Sequence, residues 1–343
     1  MRTKRTFRLE MKHHRRLDKE PLRSVYASMT SQKEPKKLKV LVTGGAGFIG
    51  SHLVGGLIKE ECEVSVLDDF STGKLENIEH GLSQPKLRLV EGDVREPQKV
   101  KKAIGDSEAV FHLAAITSVP YSVAHPDVTR DVNVKGTLNL LEASLNSGVE
   151  HFVFISSCAV YGEAEHLPIS EEEPTRPLSP YAESKLEAER KCREFYAKHG
   201  LRTTILRPFN VYGPGMRNDQ YGGVIAKFIE RLQSGKPPII YGDGTQTRDF
   251  IHVQDIVTAM MMVMGDEKAA GQTFNVATGI PTTINQLAQL LTQLLDDEKI
   301  KPQYRAARQG DLKHSYARIV KARNSLGFEP KIALKQGLLN LIT

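Results

Sequence analysis

Lys39-Val40-Leu41-Val42-Thr43-Gly44-Gly45-Ala46-Gly47-Phe48-Ile49-Gly50 is the stretch that decides the fold. A short β-branched run stops at glycines placed at Gly44, Gly47 and Gly50, and a helix-like apolar stretch follows to about Glu60. The order is strand, turn, helix. Gly44 permits a tight turn, Gly47 lets the backbone approach a pyrophosphate, and Gly50 lets the helix pack closely on the strand. The helix start then offers free N–H donors and a partial positive charge. A glycine turn alone carries little information. The next strand, Glu63 to Leu67, adds the second signal: it ends in Asp68, 18 residues after Gly50. A carboxylate there accepts both hydroxyls of an adenosine ribose and repels a 2′-phosphate, so NAD is expected rather than NADP.

Working outward, Leu87 to Val94 reads as a strand ending near Asp93, whose carboxylate could take the adenine amine. Ala109 to Ala115 is a strand running into small residues, where a cofactor can lie against the backbone. His112 within it is expected to be a packed strand residue rather than a ligand. Strands and helices alternate as far as Ile155, which predicts an α/β fold with a Rossmann-type doubly wound parallel sheet and its ligand outside the carboxyl ends of the strands.

The chain has 343 residues, 40% of them hydrophobic, enough for about two domains at roughly 150 residues each. The expected division is a leader over 1–37, a dinucleotide-binding domain over 38–200 and a smaller substrate domain over 201–343, with some later strands returning to the first. No apolar run approaches the ~20 residues of a bilayer crossing. The formal charge is +6, but residues 1–37 hold 12 Lys and Arg against 4 Asp and Glu, which leaves the remainder at −2. A nucleic-acid groove needs positive charge on the folded body, so no nucleic-acid partner is expected. Three cysteines, Cys62, Cys158 and Cys192, show neither CxxC spacing nor an even count. Neither disulfides nor a metal site is indicated, and a reducing, cytoplasmic setting is expected. The basic leader reads as unfolded, and three readings of it stay open. It is a solvated tail preceding a start near Met29, an organelle-targeting segment, or an electrostatic docking arm.

The chemistry is expected later. His151 to Ile155 reads as a strand ending in Ser156-Ser157, and Ser179-Pro180-Tyr181-Ala182-Glu183-Ser184-Lys185 opens a helical pattern running to about His199. Tyr181 and Lys185 are one turn apart on one face. A phenol is a poor base at neutral pH, but an adjacent ammonium and an oxidised nicotinamide would both stabilise its phenolate, making Tyr181 the acid/base. Ser157, at the strand end, would hydrogen-bond the substrate hydroxyl and relay its proton.

From Lys37 to Leu341 the sequence resembles the extended short-chain dehydrogenase/reductase family, and within it the NAD-dependent nucleotide-sugar 4-epimerases. The motifs that carry the likeness are Thr43–Gly50 (TGGAGFIG), Leu67–Gly73 (LDDFSTG), Gly92–Val94, His112–Ala115, Ser156–Gly162 (SSCAVYG), Tyr181–Lys185, Arg207–Pro214 (RPFNVYGP) and Gly242–Asp255. The resemblance implies cofactor contacts from the glycine turn (Gly44, Gly47, Phe48, Ile49, Gly50) and from Asp68, Asp69, Phe70, Ser71 and Gly73. Further along it implies Asp93, Val94, Leu113, Ala114, Ala115 and Asn133, together with Tyr181, Lys185 and Phe209. A UDP-sugar would be held by Ser118, Ser157, Asn210, Arg248, Arg308, Asp311 and Ser315. Two arginine forks are independently suited to clamp a pyrophosphate.

Reactions of such enzymes share oxidation at C4. Similar dehydratases carry an Asp-Glu pair after the hydroxyl residue, and similar decarboxylases a Glu; here the residues are Cys158 and Ala159, so elimination is disfavoured and net epimerisation is implied. Cys158 stands where Ser is common. In related 4-epimerases the residue four positions after the Asp311 acid lines the sugar pocket, and a Tyr there excludes N-acetyl groups. Here it is Ser315, and Ser118-Val119-Pro120 also resembles epimerases that accept N-acetylhexosamines. The expected substrates are UDP-glucose and UDP-galactose, with UDP-N-acetylglucosamine and UDP-N-acetylgalactosamine as further candidates and UDP-glucuronate as the runner-up. By the same likeness, helices around Val134–Ser147 and Ser184–Lys198 would pair in a homodimer. A silent NAD-binding sensor or RNA-associated protein is the non-enzyme alternative, which the intact Ser157, Tyr181 and Lys185 disfavour.

Overall fold

The computed structural model describes residues 37–82, 84, 86–216, 223–296, 299–308 and 310–342. The expectations for the basic leader, including the start near Met29, fall on residues 1–36 and lie outside the described residues.

The β-branched runs form strands because each is buried on both faces. Along β1 (Lys39–Thr43), Val40 and Val42 enter one apolar cluster and Leu41 the other. β4 (Ala109–His112) and β5 (His151–Ile155) alternate in the same way, with Phe111 and Val153 on the first side and Val110, Phe152 and Phe154 on the second. Near-continuous apolar runs of this kind belong to parallel sheets covered by helices. With β2 (Glu63–Asp68), β3 (Leu87–Glu91), β6 (Arg202–Pro208) and the strand Thr273–Val276 they make one seven-stranded sheet. Its order is Thr273–Val276, β6, β5, β4, β1, β2, β3, every pair parallel. The chain winds outward from β1 to β3, then crosses to β4 on the other side. That reversal opens a crevice between the carboxyl ends of β1 and β4, the usual ligand position in such sheets.

Helices Phe48–Lys59 and Val253–Met264 cover one face; Pro97–Ile104, Gly136–Ser147 and the long helix Pro180–His199 cover the other. The long helix spans the range that its sequence predicts. Ser179 caps it by accepting from Ala182 N at 3.2 Å, Pro180 occupies the first turn, and Gly200 ends it at φ 72°. Burial of Tyr181, Lys185, Leu186, Ala188, Cys192 and Phe195 defines its inward face. The helix expected from Val134 differs: Asp131–Lys135 is a π-helical turn, and regular helix begins at Gly136. Thr137 donates to Asn133 O at 2.6 Å, and the Asn133 side chain is drawn away to Ile116 and Ser184, which accounts for the local widening.

His112 is a packed strand residue, as expected. Its ring nitrogens lie 2.7 Å from Thr43 Oγ1 and 2.9 Å from Thr137 Oγ1, and burial keeps it well below the ordinary histidine value, hence neutral.

After residue 208, besides the helix Val253–Met264 and the strand Thr273–Val276 of the large sheet, the chain builds smaller sheets. β7 (Asn210–Tyr212) pairs with Phe250–His252, and Thr247–Arg248 lies between Thr282–Thr283 and His314–Ser315. Helices Val224–Gln233, Ile284–Leu294 and Leu334–Ile342 enclose their own apolar cluster around Phe228, Leu287 and Leu338.

Candidate active site

At the crevice, Gly44 adopts φ 68°, and a Cβ there would stand 2.8 Å from Ala114 N. A Cβ on Gly50 would stand 2.1 Å from Gly44 O, so the helix start touches the turn backbone to backbone. Gly47 caps the helix in extended conformation without a side-chain bond to the first-turn N–H groups, and a Cβ on it would meet only Gly44 O, at 3.2 Å. Its bareness therefore serves the outer side of the turn, next to Phe48 and Ile49, where a phosphate would lie against open donors. Asp68 ends β2 buried, accepting from Ala46 N and Phe70 N, each at 2.9 Å. Burial pushes its carboxyl up, and the two N–H groups oppose that shift. Gly73 packs against it, since a Cβ there would sit 2.9 Å from Asp68 Oδ1. Asp69 accepts from both the backbone and the hydroxyl of Ser71. This bare turn, uncapped helix start and buried strand-end acid fit the diphosphate and ribose of a dinucleotide.

Asp93 differs from its expected role in one respect. Both its oxygens are engaged by the Arg95 guanidinium, which holds the carboxyl below its ordinary value, so it stands as one half of an ion pair. Val94 packs against Gly136. Leu113, Ala114 and Ala115 leave β4 half-buried, and Ala114 N donates to Thr43 Oγ1 at 3.2 Å. Asn133 is fully buried and braces Ile116 through both its N–H and its carbonyl. Phe209 is buried beside Tyr161 and Leu186.

The long helix brings Tyr181 and Lys185 to the end of β5. The Ser157 hydroxyl lies beside the Tyr181 phenol and accepts from Ala159 N at 3.1 Å. Lys185 is anchored at the same strand end. Its ammonium donates to Ile155 O at 2.7 Å and lies 4.8 Å from the Phe154 ring, and burial lowers it to about 8. The phenol of Tyr181 is pushed up to about 12 by burial, with the Ser157 hydroxyl opposing.

A cavity of about 220 Å³ opens beyond this pair, lined by Asn210, Val224, Ile239, Tyr241, Gln246, Arg248, Ile284, Arg308 and Asp311. Arg248 holds Asp311 Oδ1 at 2.5 Å and Thr247 O at 2.8 Å, while Arg308 lies 3.7 Å over the Tyr241 ring. Asn210 donates to Asp249 O at 3.3 Å. Four of the expected substrate residues thus converge on one cavity. Ser315 pairs in register with Arg248 but is buried, its hydroxyl facing the Cys158 thiol. Ser118 is half-buried and caps the helix Val119–Ala124 by accepting from Tyr121 N. Sequence reasoning missed Val224, Ile239, Tyr241, Gln246 and Ile284 in the cavity wall. Of these Gln246 lies inside the Gly242–Asp255 motif and Tyr241 directly before it. Among the described residues, no group of three or more His, Cys, Asp and Glu side chains is placed to hold a metal ion, and no helix is long and apolar enough to cross a membrane.

Residues 40–277 match the model of the NAD dependent epimerase/dehydratase family. The chain belongs to that family. It is 37% identical over 309 residues to the UDP-glucose 4-epimerase of Mycolicibacterium smegmatis, covering 89% of this chain and 97% of that one. Among solved structures it is similar to the UDP-glucose 4-epimerase of Thermotoga maritima with UDP-glucose, at 38% identity and TM-score 0.84, covering 89% and 97% of the two chains. It is equally similar to the UDP-N-acetylglucosamine 4-epimerase of Methanobrevibacter ruminantium in complex with UDP-N-acetylmuramic acid, at 38% identity, TM-score 0.85 and coverage of 90% and 97%. NAD is the family's cofactor.

Proposed function

We propose that this enzyme interconverts the C4 epimers of a UDP-hexose, UDP-glucose and UDP-galactose first, with N-acetylated hexosamines as further substrates. The observation that carries the reading is the Ser157–Tyr181 pair at the end of β5, with Cys158 and Ala159 as the next two residues. Burial pushes the Cys158 thiol up to about 11, so it stays protonated at neutral pH. Asp249, whose charge acts on that thiol, is locked by Thr278 N and Oγ1, Gly279 N and Ala317 N. The site therefore handles one proton through one pair of groups.

Ser157 bridges the substrate's C4 hydroxyl to Tyr181, which takes the proton and later returns it. The chemistry supplied by bound NAD is reversible removal of the C4 hydrogen with its electron pair. Lys185, bound to Ile155 O, ties the helix to the strand end that presents Ser157. Arg248, Arg308 and Asn210 hold the diphosphate and Asp311 the ribose. The sugar, anchored only through that diphosphate, turns its other face to the cofactor before reduction.

The same reading extends to assembly and location. Val119, Val123, Val128 and Leu145 are exposed apolar side chains on neighbouring helices, and they support a homodimer formed on that side. Three free thiols support a reducing compartment, the cytoplasm. The test is a panel of UDP-sugars given to the purified protein with NAD, the products being identified by NMR. Interconversion of UDP-glucose and UDP-galactose is expected. Loss of water or carbon dioxide, or turnover of UDP-glucuronate alone, refutes the assignment.

A further inference from the structure

The long helix holds three consecutive residues of the β5 end from three consecutive turns. Tyr181, Lys185 and Glu189 are four residues apart, on one face. Tyr181 lies beside Ser157, and Lys185 donates to Ile155 O. Glu189 meets the residue between them: Ser156 Oγ donates to Glu189 Oε1 at 2.6 Å.

Glu189 is fully buried, and its carboxylate is fully occupied. Arg207 Nε reaches Oε1 at 2.8 Å, and Arg207 Nη2 and Arg193 Nη2 reach Oε2 at 2.6 and 2.7 Å. Burial works against the charge, but these guanidinium bonds outweigh it and hold the carboxyl below its ordinary value. Arg207 is itself buried and lies 4.7 Å over the Tyr161 ring. A hydroxyl bonded to a desolvated, ion-paired carboxylate is in a strong bond with few alternative geometries. Ser156 is also fixed through its backbone, its N–H donating to Leu206 O at 2.8 Å. Ser157 follows in extended conformation, φ −160° and ψ 149°, so its direction depends on the peptide it shares with Ser156.

We propose that Ser156, anchored by the Glu189–Arg207 ion pair, is a positioning residue that sets the distance between the Ser157 hydroxyl and Tyr181. The pair is fully buried, and its bonds run to Ser156 and Arg193. Proton relay needs Ser157 within reach of both Tyr181 and the sugar, and displacement by about 1 Å can cost ~100-fold in rate. The inference rests on the 4-epimerase reading for its choice of substrate.

Ser156→Ala removes the anchor and keeps the ion pair. Thr204→Val is the control: it removes a buried hydroxyl of β6 that lies 2.8 Å from His151 Nε2 and donates to Ala269 O, at the opposite end of the same strands. Melting temperature, kcat and KM with UDP-galactose are measured for both. Ser156→Ala is expected to lower kcat at least ~10-fold with KM within about twofold, because binding through the diphosphate is untouched. Thr204→Val is expected to lower the melting temperature as much while kcat stays at the wild-type value. Equal kcat in the two variants, or kcat and KM changing in parallel with stability, overturns the proposal. If the wild type turns over no UDP-hexose, the substrate reading fails, and crystal structures decide the positioning role. A longer Ser157 Oγ–Tyr181 Oη separation in Ser156→Ala supports it, and an unchanged one overturns it.

Discussion

Adding one methyl group at Gly50 should uncouple the cofactor site from the fold. A Cβ on Gly50 would lie 2.1 Å from Gly44 O, 2.8 Å from Gly45 Cα and 2.9 Å from Gly44 C. All three are backbone atoms of one turn, so no side-chain rotation relieves the clash. Restoring ordinary contact near ~3.5 Å means moving the helix start off the turn by more than about 1 Å. That displacement carries away the uncapped N–H groups after Gly47, the ones aimed at the diphosphate. Overpacking of this kind costs about 1–3 kcal/mol, against a helix-propensity gain of about 1 kcal/mol for replacing glycine by alanine. Gly55 isolates the second term, since it lies on the same helix and a Cβ there meets no atom within 4 Å. Gly55→Ala is expected to keep NAD affinity and raise the melting temperature by a few degrees, roughly 2–4 °C at most. Gly50→Ala is expected to lose at least ~10-fold in NAD affinity, about 1.4 kcal/mol, and to melt below Gly55→Ala. Calorimetric titration with NAD and thermal melts with and without NAD measure both. If Gly50→Ala binds NAD within twofold of wild type and melts no lower than Gly55→Ala, the tight approach of turn and helix does not build the site.

Tyr181→Phe keeps the buried ring and removes the proton-handling oxygen; NAD binding should survive while kcat falls at least ~100-fold, and near-normal turnover removes Tyr181 from the mechanism. Lys185 is lowered by burial from 10.5 to about 8, so between those values the unfolded chain holds a proton that the folded one does not, and this group's contribution to stability rises with pH. Melting curves of Lys185→Met and wild type should therefore differ most in the mutant's favour below pH 8, the advantage shrinking toward pH 10.5; a constant difference refutes the assignment. Ser315 is buried against Cys158, so Ser315→Tyr has to push its ring into the sugar space. The kcat/KM ratio of UDP-N-acetylglucosamine to UDP-galactose should fall at least ~10-fold, and an unmoved ratio places residue 315 outside the pocket.

What was legible in the sequence is what repeats locally. The β1 run and its glycines could be read because strand, turn and helix are contiguous and each glycine answers a contact within a few residues. Tyr181 and Lys185 could be read because helix periodicity alone puts them on one face. The unread part is held together by distant partners. Ser156 and Glu189 are 33 residues apart, and Glu189 and Arg207 another 18, so this buried ion pair joins charges that no local spacing connects. The π-turn at Asp131–Lys135 depends on Ile116 and Ser184, neither of which is a helical neighbour. Asp93 could be read as a strand-end acid, but not that Arg95, two residues on, folds back onto its carboxylate. Some later strands were expected to return to the first domain, but no local pattern picks out Thr273–Val276 as the one that lies beside β6.

The choice of reaction follows from the same distinction. Oxidation at C4 needs one proton-handling pair and a hydride acceptor, and elimination from the oxidised sugar needs a further acid and base beside the first. Around Ser157 the side chains able to ionise are already committed. Glu189 and Arg207 neutralise each other behind the strand, Asp249 is saturated by four donors, and the Cys158 thiol is kept protonated by burial. Lys185 is bound to Ile155 O. Glu189 holds the Ser156 hydroxyl while Asp249 and Lys185 hold backbone groups, so on this reading the C4 proton passes through Ser157 and Tyr181. A site that can move a single proton out and back returns the oxidised sugar to an alcohol, and the only freedom left is which face is reduced.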